Sequence, residues 1–417
     1  MKKLKKNIIY FLVLIYEDYD NIYIKEKDIK QKKYYSRMVE FGVTPNQIFK
    51  NITSPRLNFE EIENKNFKFQ ITNNDENINY EIVNIINNYN LVCNDFLYLK
   101  YVELNNNKFK LFVICLTCVY SFEINRKRDK KEENENFRLY TLENFTKYNL
   151  IKTKFRINKK KPPIILFGKG EYIAMGGYWN GNIIIQKLIK DINNNLDYEI
   201  LNDSYYPINN IIIDKNDHFC ICSNIKGNIF IYKINDKNKW NLYKEIHNCH
   251  NEIICMNLNE QLNIFVTYSK DNLCMIYTYP KFNLVNSFKL YNDNNQEVFA
   301  KYFLISYSPL PSYLFYCNNK FLVYSINGQK FLQKKCNNID IIKIFTNYYS
   351  QDFIYFNENN SIKILNMPVL YEIHSINFNS EIIDMDISFD NSFICILTKE
   401  NNKSFSIKIF KNKKTKV

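Results

Sequence analysis

The stretch Gly227-Asn228-Ile229-Phe230-Ile231-Tyr232 reads as a turn running straight into a β-strand: two turn-forming residues, then four that are β-branched or aromatic. Counterparts occur at Gly181-Asn182-Ile183-Ile184-Ile185, Asn272-Leu273-Cys274-Met275-Ile276-Tyr277 and Lys320-Phe321-Leu322-Val323-Tyr324. Two more follow at Ser361-Ile362-Lys363-Ile364-Leu365 and Ser404-Phe405-Ser406-Ile407-Lys408-Ile409. The anchors at 181, 227, 272, 320, 361 and 404 lie 41 to 48 residues apart. A period of about 40–50 residues with several strands per unit belongs to propeller blades, which bury their apolar faces only by stacking on neighbours. A looser unit ends at Val113–Ile124. That makes seven, a common closure number for a ring of four-stranded sheets.

Around these anchors, strand-like runs alternate with turn clusters from residue 80 to the C-terminus, and no long stretch has a helical period. The expected fold is all-β, a seven-bladed β-propeller over residues 80–417. A polar, Asn-rich linker at 58–79 and a short α-helical segment within 1–57 precede it. Hydrophobic residues make up 46% and aromatics 16%, ample for a large core. With only 8 Gly and 9 Pro in 417 residues, most turns fall to Asn and Asp, which tolerate left-handed backbone.

The net charge is +13, from 56 Lys+Arg against 43 Asp+Glu. The cations are spread along the chain, with clusters at Lys2–Lys6, Arg126–Lys131 and Lys159–Lys161. No RNA-binding aromatic motif or helix-turn-helix pattern accompanies them, so they read as solvated loops and nucleic acid is not an expected partner. The 11 Cys read as reduced, buried thiols. Cys115 and Cys118 have C-x-x-C spacing inside the apolar run Leu111–Tyr120. If both lie in one strand, an offset of three puts them on opposite faces and spoils a shared metal site. Cys220 and Cys222 would share a face, but no second pair lies close in sequence.

Ahead of the repeats stands Phe41-Gly42-Val43-Thr44-Pro45-Asn46-Gln47-Ile48-Phe49. It resembles the closing signature of the BEACH domain, an FGQTPxQLF-like segment, at Phe41, Gly42, Thr44, Pro45, Gln47 and Phe49. Val43 replaces the usual Gln, and Ser54-Pro55-Arg56 stands where that family often has His-Pro before a basic residue. Lys27–Glu40 reads as a helix stopped by Gly42, and Thr44-Pro45 can start a second one. Upstream, Asn7-Ile8-Ile9-Tyr10-Phe11 and Tyr16-Glu17 resemble the family's NxFYYLTYE-like stretch. Lys2–Lys6 followed by Ile8–Tyr16 also fits a signal peptide, with a basic region and a nine-residue apolar run but no small-residue cleavage site. The two BEACH-like signatures in the right order favour the family reading, in which Met1 falls inside a longer protein.

The fourth repeat resembles WD40 units. His250 precedes the first strand Ile253–Leu258, Thr267 lies in the second, Asp271 in the next turn, and Tyr277 ends the third where that family has Trp. The resemblance implies a relay of hydrogen bonds through His250, Thr267, Asp271 and Tyr277. Gly176-Gly177-Tyr178-Trp179-Asn180 resembles the GGxWD-like stretch of BEACH-linked propellers, with Asn180 for Asp. Tyr324-Ser325-Ile326-Asn327-Gly328 resembles their FSINGK-like run.

Catalytic signatures are lacking. There is no Gly-rich phosphate loop, G-x-S-x-G or H-E-x-x-H pattern. His247, Cys249, His250 and Cys255 form a poor zinc set, since His250 already has a place in the repeat. Asp384 and Asp386 fall on one side of a strand and read as a blade-surface pair rather than a catalytic dyad. The resemblance implies a non-enzymatic scaffold without cofactor, metal or small-molecule substrate. It would recruit protein partners through propeller loops in vesicle or lysosome-related traffic or autophagy, in the cytoplasm and peripheral to intracellular membranes. The alternative is a secreted or ER-resident propeller behind a signal peptide.

Overall fold

The computed structural model describes residues 80–87, 96–105, 108–126, 140–151, 162–188, 197–235, 239–247, 251–292, 296–306, 311–317, 319–335, 344–346, 353–358, 360–367, 370–388, 393–401 and 404–412. The expected linker and BEACH-like segment, with Phe41, Gly42, Thr44, Pro45, Gln47 and Phe49, lie outside them.

Seven four-stranded antiparallel sheets form the blades. Blade one holds β2 (Phe96–Asn105), β3 (Lys108–Cys115), β4 (Cys118–Arg126) and β5 (Tyr140–Asn149). Blade two holds β6 (Ile164–Phe167), β7 (Tyr172–Met175), β8 (Ile183–Lys187) and β9 (Tyr198–Leu201). Blade three holds β10 (Ile208–Ile213), β11 (Phe219–Asn224), β12 (Ile229–Ile234) and β13 (Trp240–Ile246). Blade four holds β14 (Ile253–Asn259), β15 (Ile264–Ser269), β16 (Leu273–Thr278) and β17 (Leu284–Lys289). Blade five holds β18 (Tyr302–Ser306), β19 (Ser312–Cys317), β20 (Lys320–Ser325) and β21 (Lys330–Lys335). Blade six holds β22 (Ile344–Thr346), β23 (Phe353–Glu358), β24 (Ser361–Asn366) and β25 (Glu372–Asn377). Blade seven takes β26 (Glu381–Ile387), β27 (Phe393–Asn401) and β28 (Ser404–Asn412) from the end of the chain, and its outer strand is β1 (Tyr80–Asn87). Each repeat anchor opens, or immediately precedes, a third strand, and the seven expected units are the seven blades. The sequence reading did not foresee that Tyr80–Asn87 would complete the last one.

First strands touch first strands, β6 to β10 to β14 to β18 to β22 and β26 to β2, so they line the axis of the ring. The core is a set of layers between blades. One apolar cluster joins blades one and seven, through Leu111, Val113 and Tyr120 against Cys395, Ile407 and Ile409. The six other clusters each join consecutive blades. This explains why the second strands read as unbroken apolar runs. β11, β15 and β19 are buried at every position, because a neighbouring blade covers each face. Fourth strands are far more exposed, as in β9 and β17.

Register irregularities repeat with the blades. The pairing of third and fourth strands shifts at Ile124, Tyr232, Tyr277, Tyr324 and Leu365 in blades one, three, four, five and six. Tyr277 therefore sits at a recurring β-bulge, where the strand bends and its twist increases. A second bulge recurs near the start of the first strands β2, β10, β14 and β26.

The turns before β8, β12 and β16 share one geometry. Gly181, Gly227 and Asn272 have φ of 79, 81 and 60, and their N–H groups donate to the carbonyls of Tyr178, Asn224 and Ser269. A tight turn closed by a left-handed residue is a standard hairpin solution. Asn319, with φ 61, takes the same place before β20, so Asn does replace Gly here.

Candidate functional site

Connections from a fourth strand to the next first strand, and turns between second and third strands, emerge at the same end of each blade. Three of them meet between blades two and three. The blade-two turn presents Trp179, which is 57% exposed, while its neighbour Tyr178 is buried. The 202–207 connection presents Tyr205, 89% exposed, and Tyr206. The blade-three turn presents Lys226, whose Nζ lies 5.4 Å from the centre of the Tyr206 ring, within cation–π range.

Buried polar contacts hold these residues in place. Ser204 donates to the Tyr206 carbonyl at 2.7 Å and accepts from the Tyr206 N–H at 3.2 Å and from Asn224 Nδ2 at 3.1 Å. Asn224 Oδ1 also accepts from the N–H groups of Lys226 and Asn228, and the Ile225 N–H donates to the Pro207 carbonyl. On the other side Gly181 packs so closely that an added Cβ would lie 2.0 Å from the Ser204 carbonyl oxygen. With φ at +79 as well, this position suits glycine alone. Burial raises the Tyr232 hydroxyl far above its usual range, and the neighbouring Cys222 and Asp203 add to the shift. The result is an exposed set of amphipathic aromatics and one cation. Such aromatic groups bind through ring contacts.

The sequence analysis quoted Trp179 only as part of the Gly176–Asn180 stretch, without a binding role, and missed Tyr205, Tyr206 and Lys226. The available signal was Tyr205-Tyr206-Pro207, two bulky aromatics before a proline, in a connection rather than a strand.

In the fourth blade, Thr267 is buried in β15 and Tyr277 in β16, as expected, and Asp271 is in the intervening turn. Asp271 is exposed; it accepts from the Ser269 hydroxyl and, at 3.4 Å, from the Asn251 N–H. Tyr277 donates to Met275 Sδ at 3.2 Å. His250 lies outside the described residues, as does Cys249, so the complete relay and the zinc set are not defined by them. A neighbouring network ties this blade to the next. Tyr268 donates to Asn272 Oδ1 at 3.0 Å and accepts from the Ala300 N–H at 2.9 Å, while Asn272 Nδ2 donates to the Leu290 carbonyl. The Tyr324–Gly328 run spans the end of β20 and the turn after it. Its Tyr324 hydroxyl bonds both the N–H and the carbonyl of Tyr291, at 3.0 Å each.

Two expectations are corrected. Asp384 and Asp386 do share a face, but Asp384 is only 2% exposed and does not belong to a blade surface. Its Oδ2 accepts the Leu99 N–H at 2.8 Å, and Asp386 Oδ2 accepts the Tyr101 N–H at 2.9 Å. Two carboxylates at i and i+2 of β26 thus bind two N–H groups at i and i+2 of β2. Cys115 and Cys118 do not lie in one strand. Cys115 ends β3 and Cys118 starts β4, so they flank a hairpin turn and share one core cluster.

Among the described residues no group of three or more His, Cys, Asp or Glu is placed to hold a metal ion. Fold and surface together define a β-propeller with a rigid aromatic loop face. A scan against protein-family models finds no match, and a search of curated proteins finds none.

Proposed function

We propose that this protein is a non-enzymatic scaffold or adaptor of the BEACH–WD40 type. It recruits protein partners in vesicle or lysosome-related membrane traffic or autophagy, in the cytoplasm and peripheral to intracellular membranes. The observation that carries the recruiting role is the set Trp179, Tyr205, Tyr206 and Lys226. Exposed, pre-ordered aromatics beside a cation have the composition of interface hot spots, and rigidity limits the entropy lost on binding. The BEACH–WD40 assignment rests on the sequence signatures at 41–49, 176–180 and 324–328.

The test uses proximity labelling and pull-down with the full chain and a Trp179→Ala/Tyr205→Ala double variant. Both residues are surface-exposed, so the variant should keep the parent's thermal stability while its enrichment of the partner set falls at least tenfold. An unchanged partner set would overturn the assignment of this surface. Gly181→Ala is the structural control. It should lower stability and binding together, because the added Cβ displaces the 202–207 connection.

A further inference from the structure

The described cysteines are in thiol form, and those embedded in apolar layers are kept unreactive by burial. Burial raises the thiols of Cys222, Cys274 and Cys395 well above their ordinary value and pushes Cys255 and Cys317 up to about 12. Cys118 moves the other way, to about 6. The first cause is a hydrogen bond from Cys115, opposed by burial; contacts with Tyr120 and Thr117 and the charge of Lys147 add to the lowering. The fold explains each neighbour. Ile114 pairs with Val119, so Cys115 and Cys118 are the next positions inward and face each other across Leu116-Thr117. Tyr120 follows on the same strand face. Lys147 pairs opposite Tyr120 on β5, and its Nζ sits 5.8 Å from that ring centre.

We propose that Cys115 and Cys118 form a dithiol–disulfide site that exchanges with small-molecule disulfides of the glutathione type, with Cys118 as the attacking sulfur. Directly opposed residues of a hairpin have Cα atoms about 4.5–5.5 Å apart, inside the range a disulfide spans. Both sulfurs are buried in the folded chain, but the turn between them is at the surface, with Thr117 exposed at its tip, so exchange requires that turn to open locally.

The chemistry balances in two steps. The Cys118 thiolate attacks one sulfur of R–S–S–R, forms a mixed disulfide and expels RS⁻. Cys115 then loses its proton to solvent and attacks the Cys118 sulfur, releasing the second RS⁻ and closing the 115–118 bond. The protein dithiol gives up two electrons and two protons, and the small disulfide is reduced to two thiols. Closure also fixes the turn that anchors the start of the next connection, where the Leu150 N–H donates to the Thr117 carbonyl at 3.0 Å.

The experiment treats the folded full chain with oxidised glutathione, quenches with acid, alkylates and maps the peptides by mass spectrometry. The expected product is an internal 115–118 disulfide formed before other thiols react. In Cys115→Ser, whose hydroxyl still donates to the thiolate, Cys118 should retain glutathione as a stable adduct. That adduct should form at pH 6 at least tenfold faster than any adduct in Cys118→Ser. Its rate should rise through about pH 6 and then level off, the profile of a thiol that ionises there. The proposal is overturned if the pair oxidises only after denaturant is added, if the first adduct falls on another cysteine, or if the rate keeps climbing to pH 9. The wild-type map decides the first two outcomes even if a serine variant fails to fold.

Discussion

Two junctions in the ring solve the same problem with different chemistry. Between blades three and four, Asn209 Nδ2 and Asn210 Nδ2 both donate to the Ile253 carbonyl, at 2.7 and 2.9 Å. Between blades seven and one, the carboxylates of Asp384 and Asp386 accept the Leu99 and Tyr101 N–H groups, and Lys100 approaches Asp386 at 3.6 Å. The first junction uses neutral amides and the second uses charge-assisted bonds, about twice as strong. Consecutive blades are tied by the chain that runs from one to the next. Blade seven is instead assembled from both ends of the propeller and held by the β1–β28 pairing. The stronger hydrogen bonds therefore stand beside the blade in which the two ends of the propeller meet.

The largest expected effect comes from removing that closure. Deleting residues 80–87 leaves β28 as a bare edge and uncovers part of blade seven. The loss should exceed about 4 kcal/mol, beyond what ordinary single substitutions cost, and should broaden or abolish the cooperative thermal transition. If the deletion variant melts within about 2 °C of the parent, the pairing is dispensable to the ring.

Next comes Asp384→Ala, which leaves the Leu99 N–H buried without its acceptor at an expected cost of about 1–3 kcal/mol. Asp386→Ala should cost less, because its surroundings are more open. Urea midpoints of the two variants give the order, and the reverse order would show that the buried bond does not dominate the closing junction.

The smallest effect belongs to the other junction. Asn210→Ala removes one of two donors to Ile253 and one to Ser223, while Asn209 still serves the carbonyl. A loss of about 1 kcal/mol or less is expected in the same titration. A loss equal to that of Asp384→Ala would erase the contrast between the two junctions.

These junctions also show where local pattern stops being informative. The asparagines were unremarkable in the sequence because adjacent residues of a regular strand point to opposite faces. The shift in register between Ile208 and Asn210 makes Asn209 an extra residue and lets both amides reach one carbonyl. The aspartates were read correctly as sharing a face, yet their partners lie 285 residues away, so the chain alone offered only a surface to put them on. For Cys115 and Cys118 the error was one of element type, since an apolar run long enough for one strand contains a turn at Leu116-Thr117 without Gly, Pro, Asn or Asp. At the candidate site nothing local tells that Tyr178 is buried and Trp179 is not.

The sequence by itself determined the repeat, its period, the seven units and the turn chemistry before the third strands. Each of these is set by residues within a few positions of one another, where backbone preference and alternation act directly. Only the tertiary structure decided that Tyr80–Asn87 completes the last blade, that two carboxylates bind the last blade to the first, that Trp179, Tyr205, Tyr206 and Lys226 share one surface, and that two thiols meet across a hairpin. Those depend on contacts between distant segments. Bulge geometry and the packing of one blade on the next fix them, and neither leaves a period in the chain.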